Sequence, residues 1–312
     1  MHAIGVDIGG TKIAAGVVDD DGTVLAQLRR DTDPNAPGEI ERTVVELVRD
    51  LSALHPVEAV GVAAAGFVSS DRSTVLFAPN IAWRDHPLRE RLAESISLPI
   101  VVENDANAAG WAEFRFGAGR DVRDMVMLTI GTGLGGAVVI DSRLLRGAHG
   151  VAAEIGHMRM VPDGHMCGCG HEGCWEQYAS GRALTRQARA AAVAHPERAE
   201  ALLAMAGGEA RKIKGPYVTH VAHRGDELGI ELLAELGMWI GQGIADVVAI
   251  LDPALVVIGG GVAGAGDLLL EPTREAFANA LSARGHRPEP LIVGAELQNE
   301  AGIVGAADLA RT

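Results

Sequence analysis

The chain has 312 residues, 48% of them hydrophobic and 22% charged, with 40 glycines and 4% aromatics; this is ordinary globular composition, long enough for two lobes of about 150 residues each. Its net charge of −14 argues against a nucleic-acid or acidic-membrane partner, because neither a basic tract nor a basic amphipathic helix is present to overcome it. No apolar run reaches the roughly 18 residues of a membrane span, and the N-terminus enters a strand at Ala3 without a charged and apolar leader, so the expectation is a cytosolic protein.

Ala3-Ile-Gly-Val-Asp7-Ile predicts a strand that meets Gly9-Gly10, a second apolar strand follows Thr11-Lys12, and Asp21-Gly22 makes the next turn. Residues 39–54 have the spacing of an amphipathic helix after Pro37-Gly38, and 59–65 that of a buried strand running into Gly66. Asp85 is expected to cap a helix with Pro87 in its first turn. Ile100-Val-Val-Glu103 predicts a short strand that runs straight into Asn104-Asp105, where a helix to about Phe116 begins.

Beyond Asp124 the pattern repeats. Asp7-Ile-Gly9-Gly10-Thr11-Lys12-Ile-Ala-Ala-Gly-Val-Val-Asp19 aligns without gaps onto Thr129-Ile-Gly131-Thr132-Gly133-Leu-Gly-Gly-Ala-Val-Val-Ile-Asp141, at a constant offset of 122. A similarity at half-chain spacing points to duplicated lobes. Further on, Ser180 can cap a helix to about Ala194, and residues 197–206 predict another. A long helix is expected from Asp226 to Leu251, stopping at Asp252-Pro253. Leu255-Val-Val-Ile258 runs into Gly259-Gly260-Gly261, and a helix (267–284), a strand (291–297) and a terminal helix (300–310) close the chain. Alternation of strand and helix means α/β.

All 3 cysteines fall in Cys167-Gly-Cys169-Gly-His-Glu-Gly-Cys174, and Glu154-Ile-Gly-His157 lies just upstream. Zinc takes four N or S ligands in a tetrahedron, and three thiolates with His157 supply them without regular secondary structure. His171, inside the loop, is a competing ligand. A disulfide is the weaker reading, since it would leave an odd thiol. A sphere filled by His157, Cys167, Cys169 and Cys174 leaves no position for water, which makes the metal structural. One His157 nitrogen then binds zinc and the other can donate to a substrate hydroxyl. Reduced cysteines holding zinc agree with a cytosolic location.

Three glycine turns follow apolar strands, and such turns let backbone N–H groups point at phosphate oxygens. A P-loop is excluded because Gly10 is followed by Thr11-Lys12 in the wrong order. Gly131-x-Gly133-x-x-Gly136 has dinucleotide spacing, but a strand follows where that fingerprint requires a helix. What remains is strand, Gly/Thr turn, strand, once per lobe. Two such hairpins facing each other across a cleft can clamp a triphosphate, with Lys12 or Mg²⁺ offsetting its charge.

These residues resemble the ROK family (repressor, open reading frame, kinase), and within it the actinobacterial-type ATP-dependent glucokinases. The resemblance covers essentially the whole chain. It rests on Asp7-Ile-Gly-Gly-Thr-Lys12, Ala65-Gly66, Ala78-Pro-Asn80, Glu103-Asn104-Asp105-Ala-Asn-Ala-Ala109, Gly131-Thr-Gly-Leu-Gly-Gly136, Glu154-Ile-Gly-His157, Cys167-Gly-Cys169-Gly, Gly173-Cys174-Trp-Glu176 and Gly259-Gly260-Gly261. It implies an α/β, two-lobed actin-like ATPase fold, a duplicated ribonuclease H-like unit about a central cleft, with the last helix returning to the first lobe. The expected lobes are 1–118 plus 299–312, and 119–298 carrying the zinc site.

By the same resemblance the reaction is phosphorylation of glucose at its 6-hydroxyl by ATP, with Mg²⁺ and a structural Zn²⁺. Asp105 is the implied base; a sugar hydroxyl has a pKa far above 7, so the carboxylate places the oxygen and takes its proton as the bond forms. Gly66, Asn80, Asn104, Glu154, His157 and Glu176 would hold the sugar. Asp7 suits Mg²⁺; Gly9, Gly10, Thr11, Lys12, Thr132 and Gly133 would meet phosphates, and Gly260 and Gly261 adenosine. Zinc would weld the Glu154/His157 segment to that of Glu176, so its loss should loosen the sugar site without directly touching ATP contacts. Family members also act on N-acetylmannosamine, N-acetylglucosamine, fructose or allose, and some are sugar-sensing repressors, though the strand at Ala3 leaves no room for a DNA-binding module. A non-catalytic sugar sensor would share the same spacing of motifs. Polyphosphate could replace ATP as donor, but a basic groove for a polyanion is not evident in so acidic a chain. Relatives suggest homodimers or homotetramers.

Overall fold

The computed structural model describes residues 1–10 and 12–312; Thr11, expected at a phosphate, lies outside the described residues. In chain order the elements are β1 (Ala3–Ile8), β2 (Lys12–Val18), β3 (Val24–Asp31), α1 (Pro37–Ser52), β4 (Ala59–Ala64), β5 (Phe67–Val68), β6 (Val75–Phe77), β7 (Arg84–His86), α2 (Leu88–Ala93), β8 (Ile100–Asn104) and α3 (Asp105–Phe116). They continue with β9 (Met125–Ile130), β10 (Leu134–Ile140), β11 (Arg143–Leu144), α4 (Gly181–Ala194), α5 (Glu200–Met205), α6 (Gly215–Ala222), α7 (Glu227–Leu251), β12 (Leu255–Gly259), α8 (Asp267–Ala280), β13 (Leu291–Gly294) and α9 (Ala301–Ala310). The chain divides into two compact units, one of residues 1–126, 137–153 and 296–312, the other of 127–136 and 154–295.

In the first unit a five-stranded sheet runs β3-β2-β1-β4-β8, with β1, β4 and β8 parallel and β2 and β3 antiparallel. Its central strands are apolar on both faces because both are covered by helices. Ile4, Val6 and Ile8 point to the side of α1, whose Ile40, Val44, Leu47, Val48 and Leu51 recur at helical spacing and are buried there. The opposite face receives α9 through Ala301, Ile303, Val304 and Ala307. The approach is backbone to backbone: a methyl group on Gly61 would sit 1.8 Å from the Ala306 carbonyl oxygen, so only glycine admits α9 at this distance. The last helix thus returns to the first sheet.

The second sheet runs β11-β10-β9-β12-β13, matching the first strand for strand. The offset of 122 seen in the sequence carries β1 onto β9 and β2 onto β10 at both ends of each strand. In the second unit α7 is 25 residues long and apolar enough by length and composition to cross a membrane, but 56% of its apolar window is buried inside the protein, where it packs on α8 as a core helix. Asp226 caps it, accepting from the Gly229 N–H at 2.8 Å, and Asp252 ends it in the left-handed region at φ 47°.

Asp85 does not cap a helix. It lies in β7 at φ 47°, and α2 begins at Leu88 after Pro87 with no side-chain cap. The small antiparallel sheet β5-β6-β7 is an addition to the expected elements, as is α6, which starts at Gly215-Pro216.

Candidate active site

The junction of β8 and α3 is fixed by several side-chain hydrogen bonds. Asn104, the last strand residue, is the N-cap: its Oδ1 accepts from the Asn107 N–H at 2.9 Å. Its Nδ2 donates to the Gly66 carbonyl at 3.0 Å, clasping the segment after β4 to the start of the helix. Since Asn104 satisfies the helix end, Asp105 at the first helical position is not spent on capping; its Oδ1 accepts from the adjacent Ala106 N–H at 3.0 Å. Burial, then the negative charge of Asp7, push the Asp105 carboxyl up to about 7, against the pull of backbone N–H groups. Asp7, at the end of β1, is raised to about 6 by burial, with Arg29 opposing. A methyl on Gly302, in the first turn of α9, would touch the Asp7 carboxylate at 3.0 Å.

The first glycine turn is closed by the Gly9 N–H donating to the Lys12 carbonyl at 3.0 Å, and Lys12 itself is exposed. Gly10 faces Asn80, with 3.9 Å between the position of a Gly10 methyl and the Asn80 Cβ. In the second unit the matching turn is closed by the Gly131 N–H to the Gly133 carbonyl at 3.0 Å, with Thr132 exposed at its tip. Gly260 and Gly261 follow β12 and are exposed; a methyl on Gly260 would sit 2.6 Å from the Ile130 carbonyl oxygen. One group missed from the sequence is Gly181, whose N–H donates to the Gly131 carbonyl at 2.8 Å and ties the turn to the start of α4. The Ser180 cap was its only sequence signal.

In the second unit His157, Cys167, Cys169 and Cys174 converge, their ligand atoms all within 4.8 Å of one another; His171 is not among them. A short paired stretch builds this knot: the Met160 N–H donates to the Gly173 carbonyl at 2.8 Å and the Trp175 N–H to the Met158 carbonyl at 2.7 Å, which sets His157 beside Cys174. Gly173 has φ 77°, and a methyl there would lie 1.7 Å from the Val161 carbonyl oxygen, so the turn needs glycine on both counts. The group fits zinc. Two thiolates on one tetrahedral zinc lie about 3.8 Å apart and a thiolate and an imidazole nitrogen about 3.6 Å; here the Cys169 and Cys174 sulfurs are 3.5 Å apart, and Cys167 Sγ is 3.7 Å from His157 Nδ1. Burial pushes the Cys167 and Cys174 thiols up, a cost that a bound cation reverses.

Glu176 stands between two of these features. Cys167 Sγ donates to its Oε1 at 3.0 Å, as does Gln177 Nε2 at 3.2 Å, while its Oε2 lies 2.6 Å from where a methyl on Gly133 would be. The carboxylate expected to hold sugar therefore also adjoins the Gly131–Gly133 turn expected to meet phosphates. Glu154 and His157 are half-buried in the same unit, at either end of a single 3₁₀ turn.

Comparison with known proteins agrees with this arrangement. The ROK family profile matches residues 3–312. A glucokinase of Streptomyces coelicolor is 50% identical over 308 residues, covering 99% of this chain and 97% of the relative. Among solved structures, a ROK family glucokinase from Streptomyces griseus, in complex with glucose and AMPPNP, superposes with a TM-score of 0.94 at 50% identity, over 100% of this chain and 99% of that one. The ROK hexokinase of Thermus thermophilus gives 0.78 at 34% identity, over 100% and 98%. The α/β architecture is the actin-like ATPase fold of the ROK sugar kinases. Profile match and near full-length identity together establish that the chain belongs to the ROK family.

Proposed function

We propose that this protein is an ATP-dependent glucokinase, transferring the γ-phosphoryl group of ATP to the 6-hydroxyl of glucose to give glucose 6-phosphate and ADP. The observation that carries the reading is the Asp105 carboxylate, released from capping by Asn104 and held near pKa 7. A base with that affinity accepts a proton at neutral pH. The identity to Streptomyces glucokinases over nearly the whole chain supports glucose and ATP as the pair.

In this reading Asp105 orients the 6-hydroxyl and takes its proton as the oxygen bonds to the γ-phosphorus, the bond to the β,γ-bridging oxygen breaks, and ADP departs. Gly66, Asn80, Asn104, Glu154, His157 and Glu176 serve the remaining sugar hydroxyls, where an unmatched buried polar group costs ~1–3 kcal/mol and discriminates among hexoses. Gly9, Gly10, Thr11, Lys12, Thr132 and Gly133 serve the phosphates, and Gly260 and Gly261 the adenosine. Mg²⁺ held at Asp7 would supply charge neutralisation for the phosphates; a carboxylate raised by burial is suited to a cation partner. Zn²⁺ held by His157, Cys167, Cys169 and Cys174 would act as architecture. The working compartment is then a reducing cytosol, and the assembly a homodimer or homotetramer.

A coupled assay tests the reading with glucose, N-acetylmannosamine, N-acetylglucosamine, fructose and allose as acceptors, and ATP and polyphosphate as donors. Glucose with ATP is expected to give the highest kcat/KM. A higher value for another sugar, or no turnover with any, would overturn it.

A further inference from the structure

Glu103 is an acidic residue in the interior, its side chain 4% exposed, one position before Asn104 and two before Asp105. Both of its oxygens are engaged. Oε1 accepts from the Asn104 backbone N–H at 3.0 Å and from Asn107 Nδ2 at 3.1 Å. Oε2 accepts from Arg146 Nε at 2.7 Å, with Arg72 Nε at 3.6 Å. Arg72 is itself tied down, its NH2 donating to the Leu309 carbonyl of α9 at 2.9 Å.

The two oxygens therefore have different tasks. One grips the N–H of Asn104, the last residue of β8, and the Asn107 side chain within the first turn of the helix; the other is clamped by guanidinium groups from distant segments. The first task bears on Asp105. Asn104 is held at its side chain by Gly66 and Asn107 and at its backbone N–H by Glu103, so the residue that precedes Asp105 is fixed at three points. An unpaired buried carboxylate would be costly, which is why two cations accompany it.

We propose that Glu103 is a positioning residue for phosphoryl transfer: its Oε1 fixes the Asn104 peptide, and through it the direction of the Asp105 carboxylate, while Arg146 fixes Glu103. The proposal rests on the glucokinase reading. It differs from a purely structural role in what it requires of the side chain, namely reach rather than charge.

Two variants separate these. Glu103→Asp keeps the charge for Arg146 and Arg72 but withdraws the carboxylate by about 1.5 Å, one C–C bond, from the Asn104 N–H. Glu103→Gln keeps the reach and an acceptor oxygen but loses the charge. Both are compared with the parent in kcat per glucose-binding site, KM for each substrate, and melting temperature. The expected result is a kcat for E103D at least tenfold below the parent with KM for ATP within about twofold, and a kcat for E103Q within about threefold despite a lower melting temperature. E103D at parental kcat, or E103Q impaired as much as E103D, would overturn the proposal. If E103Q does not fold, the double variant E103Q/R146M, which removes the opposing cation, provides the same comparison. A parent without sugar kinase activity would instead refute the functional reading beneath it.

Discussion

Cys167 Sγ donates a 3.0 Å hydrogen bond to the same Glu176 carboxylate whose other oxygen lies 2.6 Å from where a methyl on Gly133 would be. The Cys/His cluster, the Glu176 carboxylate and the Gly131–Gly133 turn thus adjoin one another within the second unit. A zinc-bound Cys167 is a thiolate with no proton to donate, so zinc would hold Glu176 through the Cys174 backbone two residues before it; removing zinc, by chelation or by Cys169→Ser, should free the Cys167–Cys174 loop and Glu176 with it. The expected outcome is a rise of about tenfold or more in KM for glucose, equivalent to ~1.4 kcal/mol, accompanied by a smaller rise for ATP. Zinc content by atomic absorption alongside titration calorimetry checks this. Zinc-free protein with parental glucose affinity would show that the metal does not organise the site.

Gly133→Ala approaches the same contact from the phosphate side. The added methyl would sit 2.6 Å from Glu176 Oε2, so either the turn or the carboxylate must give way. KM should increase for both glucose and ATP, by about three- to tenfold, whereas a turn that served phosphates alone would change only the ATP value. Steady-state kinetics with each substrate varied in turn distinguishes the two.

Burial and Asp7 raise the Asp105 carboxyl to about 7, and the proposed mechanism needs it ionised. kcat/KM should therefore fall about tenfold per pH unit below 7 and level off above it. Because a like charge is part of the cause, Asp7→Asn should move the Asp105 titration downward, measured by carbon-13 NMR of the carboxyl in protein without ligands. A titration unmoved by that substitution would leave burial as the whole cause.

How much of this is legible in the sequence follows from which interactions are local. The hairpins at β1/β2 and β9/β10 can be read from a repeat because strand and turn chemistry is local, and the offset of 122 reproduces both strands. The Cys167/Cys169/Cys174 spacing announces the Cys/His cluster for the same reason. Asn104 and Asp105 are both good capping residues in adjacent positions, and the choice is made by Gly66, 38 positions away. The Glu103–Arg146 pair spans 43 positions and the Gly181–Gly131 bond 50, so no window of sequence displays them. Asp85 misleads because Asp before Pro87 is an ordinary capping signal; β7 takes that residue into the left-handed region instead.

Asp105→Asn should bind glucose but lose turnover by about 10²–10⁴-fold, the contribution of a positioned base. Its stability should change in the opposite sense. A carboxyl raised from 3.8 to about 7 on folding binds more protons folded than unfolded across that interval, so the stability it contributes is full below pH 4 and is lost as pH rises through 7. Asn carries no such penalty. At pH 8 the variant should melt a few degrees higher than the parent, on the order of 2 kcal/mol after allowance for partial solvent access at the carboxylate, and the difference should close by pH 4. Calorimetry at both pH values checks it; equal melting temperatures at pH 8 would mean that Asp105 is not strained in its ionised form.

At the other end of α3, Glu113 is fully buried and accepts three backbone hydrogen bonds: from Leu297 at 2.7 Å through Oε1, and from Ala118 at 3.0 Å and Glu296 at 3.1 Å through Oε2. It joins the loop after α3 to the segment that leads into α9, the helix lying directly on the first sheet. Glu113→Ala would leave three N–H groups in the interior without an acceptor, at a cost of about 3–5 kcal/mol. Glu113→Gln retains one acceptor oxygen but turns an amide N–H₂ toward the remaining donors, so it should fall between Ala and parent. Guanidinium unfolding gives the order, and the activity of the folded fraction gives the second half of the test. The Glu113 carboxylate accepts from backbone N–H groups more than two helical turns from the start of α3, so kcat per folded molecule should stay within about twofold of the parent while stability drops. A loss of kcat comparable to that of Asp105→Asn would mean that the far end of α3 also aims the base.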